Sequence, residues 1–246
     1  MPVSKAAPHG FPVVGIGASA GGLDALKKFF TNVPGDSGMA YVVIVHLSKD
    51  HDSVLAEILQ GTTALKVSQV RDTVKVEPDH VYVIPPTKNL AMVDGLIRLT
   101  DRTNTPGKRV PINLFFRTLA EAYGRDSFAV VLSGTGDDGT LGIERVKEVG
   151  GVTMVQEPGE AEFDGMPRSA IGTQLIDVVL PAAELPGKIL AIHRLEQERR
   201  RSTEAAASPE NEEVVAAVDS DGLREILALV RIKTGHDFSS YKRPTL

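Results

Sequence analysis

The sequence predicts an α/β fold, a doubly wound three-layer α/β/α domain built on a mostly parallel sheet with a short helical C-terminal extension. Three observations carry that reading. Met39–Val45 (MAYVVIV) and Phe128–Leu132 (FAVVL) are apolar runs without polar alternation, the mark of strands covered on both faces. Such runs alternate with amphipathic segments of helical spacing, as parallel strands joined by crossover helices require. The first run breaks at Val13–Gly22 (VVGIGASAGG) into glycines around one serine, a sharp strand-to-helix turn.

The elements follow in order. Pro12–Ile16 reads as a buried strand and Leu23–Phe30 as the helix after the glycine turn. Met39–Val45 is the second strand, Ser53–Leu59 a short helix, Lys66–Val70 and His80–Ile84 two further strands, the latter closed by Pro85-Pro86. Asn89–Val93 and Leu96–Leu99 flank Asp94-Gly95, a hairpin signal expected at the periphery of the sheet. Pro111–Tyr123 opens on proline and repeats Ile112, Phe115, Phe116 and Leu119 at helical spacing. Phe128–Leu132, a helix over Thr140–Val149, and strands Val152–Gln156 and Ile176–Leu180 complete the domain. Ala182–Arg201 reads as one helix with a charged end, Ser202–Glu213 as a linker rich in Ala, Ser, Pro and Glu, and Asp219–Ile232 as an amphipathic helix. That last helix cannot bury its apolar face alone, so it is expected to pack on the domain or to support self-association.

Composition narrows the function. With 246 residues and 42% hydrophobic content the chain can bury one large core with an appendage. Aromatics stand at 5%, tryptophan is absent and the net charge is −5, which argues against base-stacking platforms and against a basic nucleic-acid footprint. There is no cysteine, hence no disulfide, thiolate nucleophile or zinc-thiolate site. No run has the character of a signal peptide or a membrane span, so a cytoplasmic chain without membrane insertion is expected.

Gly17-Ala18-Ser19-Ala20-Gly21 matches the G-x-S-x-G elbow, and Gly15-x-Gly17-x-x-Ala20 also fits a loose dinucleotide fingerprint. Side chains suited to activating a serine fall at the carboxyl ends of other strands, where open α/β sheets bind ligands: His46 after the second strand, and Asp137-Asp138 in the loop after Phe128–Leu132. A serine hydroxyl needs a base, imidazole suits that role near neutral pH, and a carboxylate fixes the imidazole tautomer. Each residue has a structural alternative. Ser19 can simply form the turn, His46 can pack, and Asp138, before Gly139, can cap the following helix. The dinucleotide reading wants an acidic residue after the second strand and meets His46-Leu47-Ser48 instead. His9, His51, His80, His193 and His236 show no metal-ligand spacing on one helix, so no metal or other cofactor is expected.

Five ordered motifs, GIGASAGGLDAL, VHLSKDHDSVLAEIL, PINLFFRTLAEAYG, VVLSGTGDDGTLGI and EPGEAEFDGMPRSAI, resemble the catalytic domain of the CheB-type protein-glutamate methylesterases of chemotaxis, over Pro12 to Arg194. The resemblance implies hydrolysis of glutamate γ-methyl esters on chemoreceptor-type proteins, with glutamine deamidation in many members. It assigns Ser19 as nucleophile, His46 as base, Asp138 as orienting acid, and the backbone N–H groups of Ala20 and Thr135 as the oxyanion hole. Asp137 takes the variable position of its motif. Ala20 stands where the family commonly has threonine, Thr135 where it has methionine, and LSKD replaces a proline-rich run after His46. Met166 and Pro167, within Glu162–Arg168, are candidate substrate contacts at the rim. The tail from Leu223 resembles the opening of a chemotaxis receptor methyltransferase's helical domain, as in methylesterase–methyltransferase fusions. The expected division is therefore a leader over 1–11, the esterase domain over 12–194, a helix end and linker over 195–218, and the methyltransferase-type start over 219–246. Without a receiver domain in this sequence, activity independent of phosphorylation is expected, with the tail a connector rather than a lid. Two rivals stand beside the esterase: a nucleotide-binding module, and a catalytically silent docking domain that keeps the fold.

Overall fold

The computed structural model describes residues 10–45, 54–85, 88–101 and 110–206. His46, Ser53 and the predicted helix over Asp219–Ile232 lie outside them, as does most of the predicted linker. Contacts divide the chain into two compact units, Met1–Leu190 and Ala191–Leu246. The described part of the second unit, 191–206, is wholly helical.

The first unit carries a seven-stranded parallel sheet. Its strands are β1 (Val13–Ala18), β2 (Ala40–Val45), β3 (Lys66–Gln69), β5 (His80–Val83), β8 (Ser127–Val131), β9 (Val152–Gln156) and β10 (Val178–Leu180), in the order β10-β9-β8-β1-β2-β5-β3. From β1 the chain first builds outward through β2 to β5 and β3, then returns to β8 on the other flank and continues to β9 and β10. The topological switch point is therefore the β1–β8 seam, the place where such sheets open a crevice at their carboxyl edge.

Helices cover both faces. α1 (Gly22–Thr31) turns Phe29 and Phe30 edge-on against Tyr41 of β2 on one face. On the other, α3 (Pro111–Tyr123) packs Ile112, Phe115, Phe116 and Leu119 into a core shared with Val13, Val42, Ile44, Ala129 and Val131. α4 (Thr140–Glu148) adds Ile143 and Val146 to that core, and α5 (Gly165–Gly172) adds Met166 and Ala170. α3 approaches β1 closely because β1 has no side chain in the way. A Cβ on Gly15 would stand 3.0 Å from Leu119 Cδ2, and one on Gly17 2.5 Å from Ile112 Cγ2.

Several expectations need correction. The hairpin β6 (Lys88–Val93) and β7 (Leu96–Asp101), with Asp94 at φ 51° and Gly95 at φ 73°, does not fringe the large sheet. It forms its own antiparallel sheet with the two-residue β4 (Val74–Lys75), and buries Leu90, Met92 and Ile97 in the core beneath α3. Glu162–Arg168, expected at the rim of the site, runs into α5. The last described helix, α6 (Leu185–Ala206), continues five residues past the predicted end at Arg201 into the segment read as linker. α2 (Leu55–Gln60) leads to β3.

Candidate active site

Ser19 follows β1 directly at the switch point. Its N–H donates to the Ser133 carbonyl at 2.9 Å, extending the β1–β8 pairing one step beyond the strands, and its carbonyl accepts from Gly22 N–H at 2.9 Å. Gly21 sits at φ 68°, a left-handed conformation that favours glycine, and a Cβ there would meet Ser133 Oγ at 2.7 Å. The elbow glycines are thus required by turn and packing together. Ser19 itself is partly exposed.

The same packing disposes of the dinucleotide reading. Gly15 and Gly17 lie inside β1, and the space their side chains would take is filled by α3, not left open to a phosphate.

The loop after β8 runs alongside. Ser133 and Gly134 are buried, Thr135, Gly136 and Asp137 are exposed, and Asp138 is half-buried. Gly134 faces Met166 Sδ and Ser19 Cβ so closely that no Cβ fits between them. Its carbonyl accepts from Met166 N–H at 2.8 Å, and the Gly136 carbonyl accepts from Ser169 Oγ at 3.0 Å, so the first turns of α5 brace the loop. Met166 and Pro167 are both buried, Met166 to 1% exposure, so they support the site from beneath and are not displayed at its rim.

Two peptides here have their carbonyls engaged on one side: Ser19–Ala20 through Gly22, and Gly134–Thr135 through Met166. In a planar trans peptide the N–H points opposite the C=O, which turns the Ala20 and Thr135 amides away from those anchors. Neither amide has an acceptor among the described residues.

Asp138 caps a helix, but not the one its sequence position suggests. Its carboxylate accepts from Ile112 N–H at 3.1 Å and Asn113 N–H at 3.0 Å, the open amides in the first turn of α3. The start of α4 is served in return by Asn113, whose Oδ1 accepts from Gly139 N–H at 3.0 Å and Gly142 N–H at 2.9 Å. Burial pushes the Asp138 carboxyl up to about 6, against the lowering effect of the Asn113 and Ile112 amides. Asn113 and Ser133 were not singled out from sequence; both lie within the quoted motifs, but their roles depend on which helix end and which carbonyl come near.

His46 lies outside the described residues. The sheet register pairs Ala18 with Val45, the residues that immediately precede Ser19 and His46. Among the described residues no cluster of three or more His, Cys, Asp or Glu could hold a metal ion. A cavity of about 420 Å³ lies elsewhere, lined by Lys66, Ser68, Arg71, Lys75, His80 and Tyr82 among others. His80 Nε2 lies 2.9 Å from Ser68 Oγ and its ring stacks on Tyr82, which gives the pair the look of a dyad. The register aligns His80 with Ala40 and so with Val13, at the opposite end of the sheet from Ser19. Burial lowers the His80 pKa, as expected of a packed neutral imidazole.

A profile of the CheB methylesterase family matches residues 14–189. The chain is 32% identical over 183 residues to the protein-glutamate methylesterase/protein-glutamine glutaminase of group 3 operon of Rhizobium meliloti, covering 74% of this chain and 52% of that protein. It is 36% identical over 185 residues to an uncharacterized 104.1 kDa protein of Rhodobacter capsulatus, covering 72% of this chain and 19% of that one. The chain thus spans about half, or less, of the length of these curated relatives. The Thermotoga maritima CheB methylesterase catalytic domain superimposes with a TM-score of 0.69 at 29% identity, covering 74% of this chain and 98% of that structure. With a serine elbow at the switch point and a family match over most of its length, the chain belongs to the CheB methylesterase family.

Proposed function

We propose that this domain hydrolyses glutamate γ-methyl esters on a chemoreceptor-type protein in the cytoplasm, using Ser19, His46 and Asp138. The observation that carries the reading is the elbow at the β1–β8 seam, with two braced peptides beside it whose N–H groups are free of described acceptors. His46 takes the Ser19 hydroxyl proton as Oγ attacks the ester carbonyl. The Ala20 and Thr135 N–H groups receive the charge that develops on the carbonyl oxygen. The tetrahedral species collapses with the proton passed to methoxide, so methanol leaves and the glutamyl ester of Ser19 remains. Water, deprotonated by His46, then attacks that ester, and glutamate and the free serine are regenerated. A glutamine side chain would follow the same path with ammonia as leaving group, consistent with the glutaminase activity named for the relatives. Asp138 orients the imidazole while anchored on the amides of α3. The methyltransferase-like tail belongs to the same reading, as the start of a fused domain.

The test is methanol release from a synthetic helical peptide carrying γ-methyl glutamate. Ser19→Ala should lower turnover by at least about 10³-fold. Its thermal midpoint should stay at the wild-type value, because the partly exposed hydroxyl makes no structural hydrogen bond among the described residues. Unchanged turnover would overturn the mechanism and leave the docking-domain reading in its place.

A further inference from the structure

Beneath the elbow runs a chain of hydrogen bonds made by residues that take no part in the chemistry above. Ser133 is fully buried and grips the chain on both sides of Ser19. Its carbonyl accepts from Ser19 N–H. Its hydroxyl accepts from Phe163 N–H at 3.0 Å and donates its one proton to the Ala20 carbonyl at 2.8 Å, the closer of its two acceptors. The peptide between these two grips is the one that carries the Ala20 N–H.

Ser133 is itself held from the side. Its N–H donates to a side chain, Gln156 Oε1, at 2.8 Å. Gln156 is the last residue of β9 and 2% exposed. Its Nε2 donates to Glu160 Oε2 at 2.8 Å, and the same oxygen accepts from Ala182 N–H at 2.9 Å. Glu160 Oε1 takes Lys28 Nζ at 2.8 Å. Lys28 belongs to α1, the helix that starts where the elbow ends. The bonds therefore close a ring: elbow, Ser133, Gln156, Glu160, Lys28, α1 and back to the elbow.

The ring has a direction. A backbone N–H can only donate, so it takes the Gln156 oxygen, and the amide nitrogen is left to meet a carboxylate. Burial alone would raise the Glu160 pKa, but the bonds from Lys28, Ala182 and Gln156 outweigh it and the net shift is downward, which keeps the acceptor charged. Without Gln156, the buried Ser133 N–H would lose the partner this ring provides, and such a group repairs itself by moving backbone.

We propose that Gln156 and Glu160 are positioning residues for the oxyanion site: through Ser133 they set the direction of the Ala20 N–H. The proposal rests on the esterase reading of Ser19. Charge on the ester oxygen develops only during reaction, so the ring should matter to kcat and little to KM.

The test uses the full chain with the same γ-methyl glutamate peptide. Gln156→Ala should lower kcat about 10- to 100-fold, the scale of a displaced oxyanion donor, with KM within about twofold of wild type. Gln156→Glu sets two carboxylates against each other and should lose activity similarly near neutrality. It should recover activity relative to wild type as the pH falls and the pair takes up a shared proton. The exchanged pair Gln156→Glu with Glu160→Gln restores one donor facing one acceptor, and should regain at least about tenfold over Gln156→Glu. If Gln156→Ala does not fold, the single and exchanged carboxylate variants carry the test. A Gln156→Ala protein with wild-type kcat, or an exchanged pair no better than Gln156→Glu, overturns the proposal. Activity surviving in Ser19→Ala would instead overturn the esterase reading on which it stands.

Discussion

The loop after β1 and the loop after β8 lie side by side at the centre of the sheet, yet the chain secures them by different means. The first is held by exclusion. Ile112 stands where a Gly17 side chain would go, Ala18 Cβ lies 2.7 Å from a Cβ on Gly22, and Ser19 Cβ lies 2.9 Å from one on Gly134 of the facing loop. Around Ser19 this confinement adds to the backbone bonds with Ser133 and Gly22. The second is held by exchange, with Asp138 serving the amides of α3 and Asn113 serving those of α4. Steric confinement suits the nucleophile proposed at Ser19, whose position would matter most. A carboxylate tied by hydrogen bonds is also fixed in place, but its charge remains open to adjustment by burial.

Asp138→Asn probes the second loop where the largest effect is expected. An amide in that position cannot hold the imidazole in the working tautomer, so kcat should fall about 10³- to 10⁴-fold. The same variant has a stability signature. With the carboxyl at about 6 in the folded protein, the native state keeps a proton that the unfolded chain has already released. Stability from this group is therefore present at low pH, declines as pH rises from about 4 to about 6, and is gone above that window. The decline is worth up to about 3 kcal/mol. Urea midpoints measured across the window should show this component in the wild type and lack it in Asp138→Asn.

Gly134→Ala tests the exclusion side. The new methyl must displace Met166 Sδ or Ser19, and an ångström of movement at the nucleophile costs about 10²-fold in kcat, with about 1–3 kcal/mol of overpacking strain. Adding Met166→Ala frees the space and should return part of the lost kcat, though not the stability, because Met166 is itself packed in the core. If Gly134→Ala alone is neutral by activity assay and thermal melt, confinement is not what fixes Ser19. The smallest effect belongs to Asn113→Ala, which strips two amides of α4 of their acceptor and should cost about 1–2 kcal/mol in a denaturant melt. Its loss of kcat should be far below that of Asp138→Asn, because the carboxylate bonds to the backbone of residue 113 rather than to its side chain.

The same contrast separates what is legible in the sequence from what is not. β2 and β8 were legible because a strand buried on both faces needs an uninterrupted apolar run. α3 was legible because proline opens it and its apolar residues keep one face. α5 was not: Gly165 and Pro167 have little intrinsic helical preference, and the helix forms because Met166 and Ala170 find a core to enter. β4, at two residues, is too short to show a period. Composition misplaces the end of α6, since Ala and Glu favour helix as readily as they fill linkers, and Ser202 Oγ donates to the Glu198 carbonyl at 2.9 Å within the helix. For the site, Ser19 was legible because its elbow is local. The sequence points a capping role of Asp138 at the wrong helix, because the nearest helix start in sequence is α4 whereas the one its carboxylate reaches is α3.

The bare flank of β1 has one more consequence. The strand that leads into Ser19 and the helix whose first turn anchors Asp138 are pressed together across Gly15 and Gly17. That contact acts as a gauge block between two machine parts: its thickness, a backbone with no side chain, sets how far the serine's mount stands from the aspartate's. A methyl group added there would touch neither residue, yet it would shim both out of alignment at once.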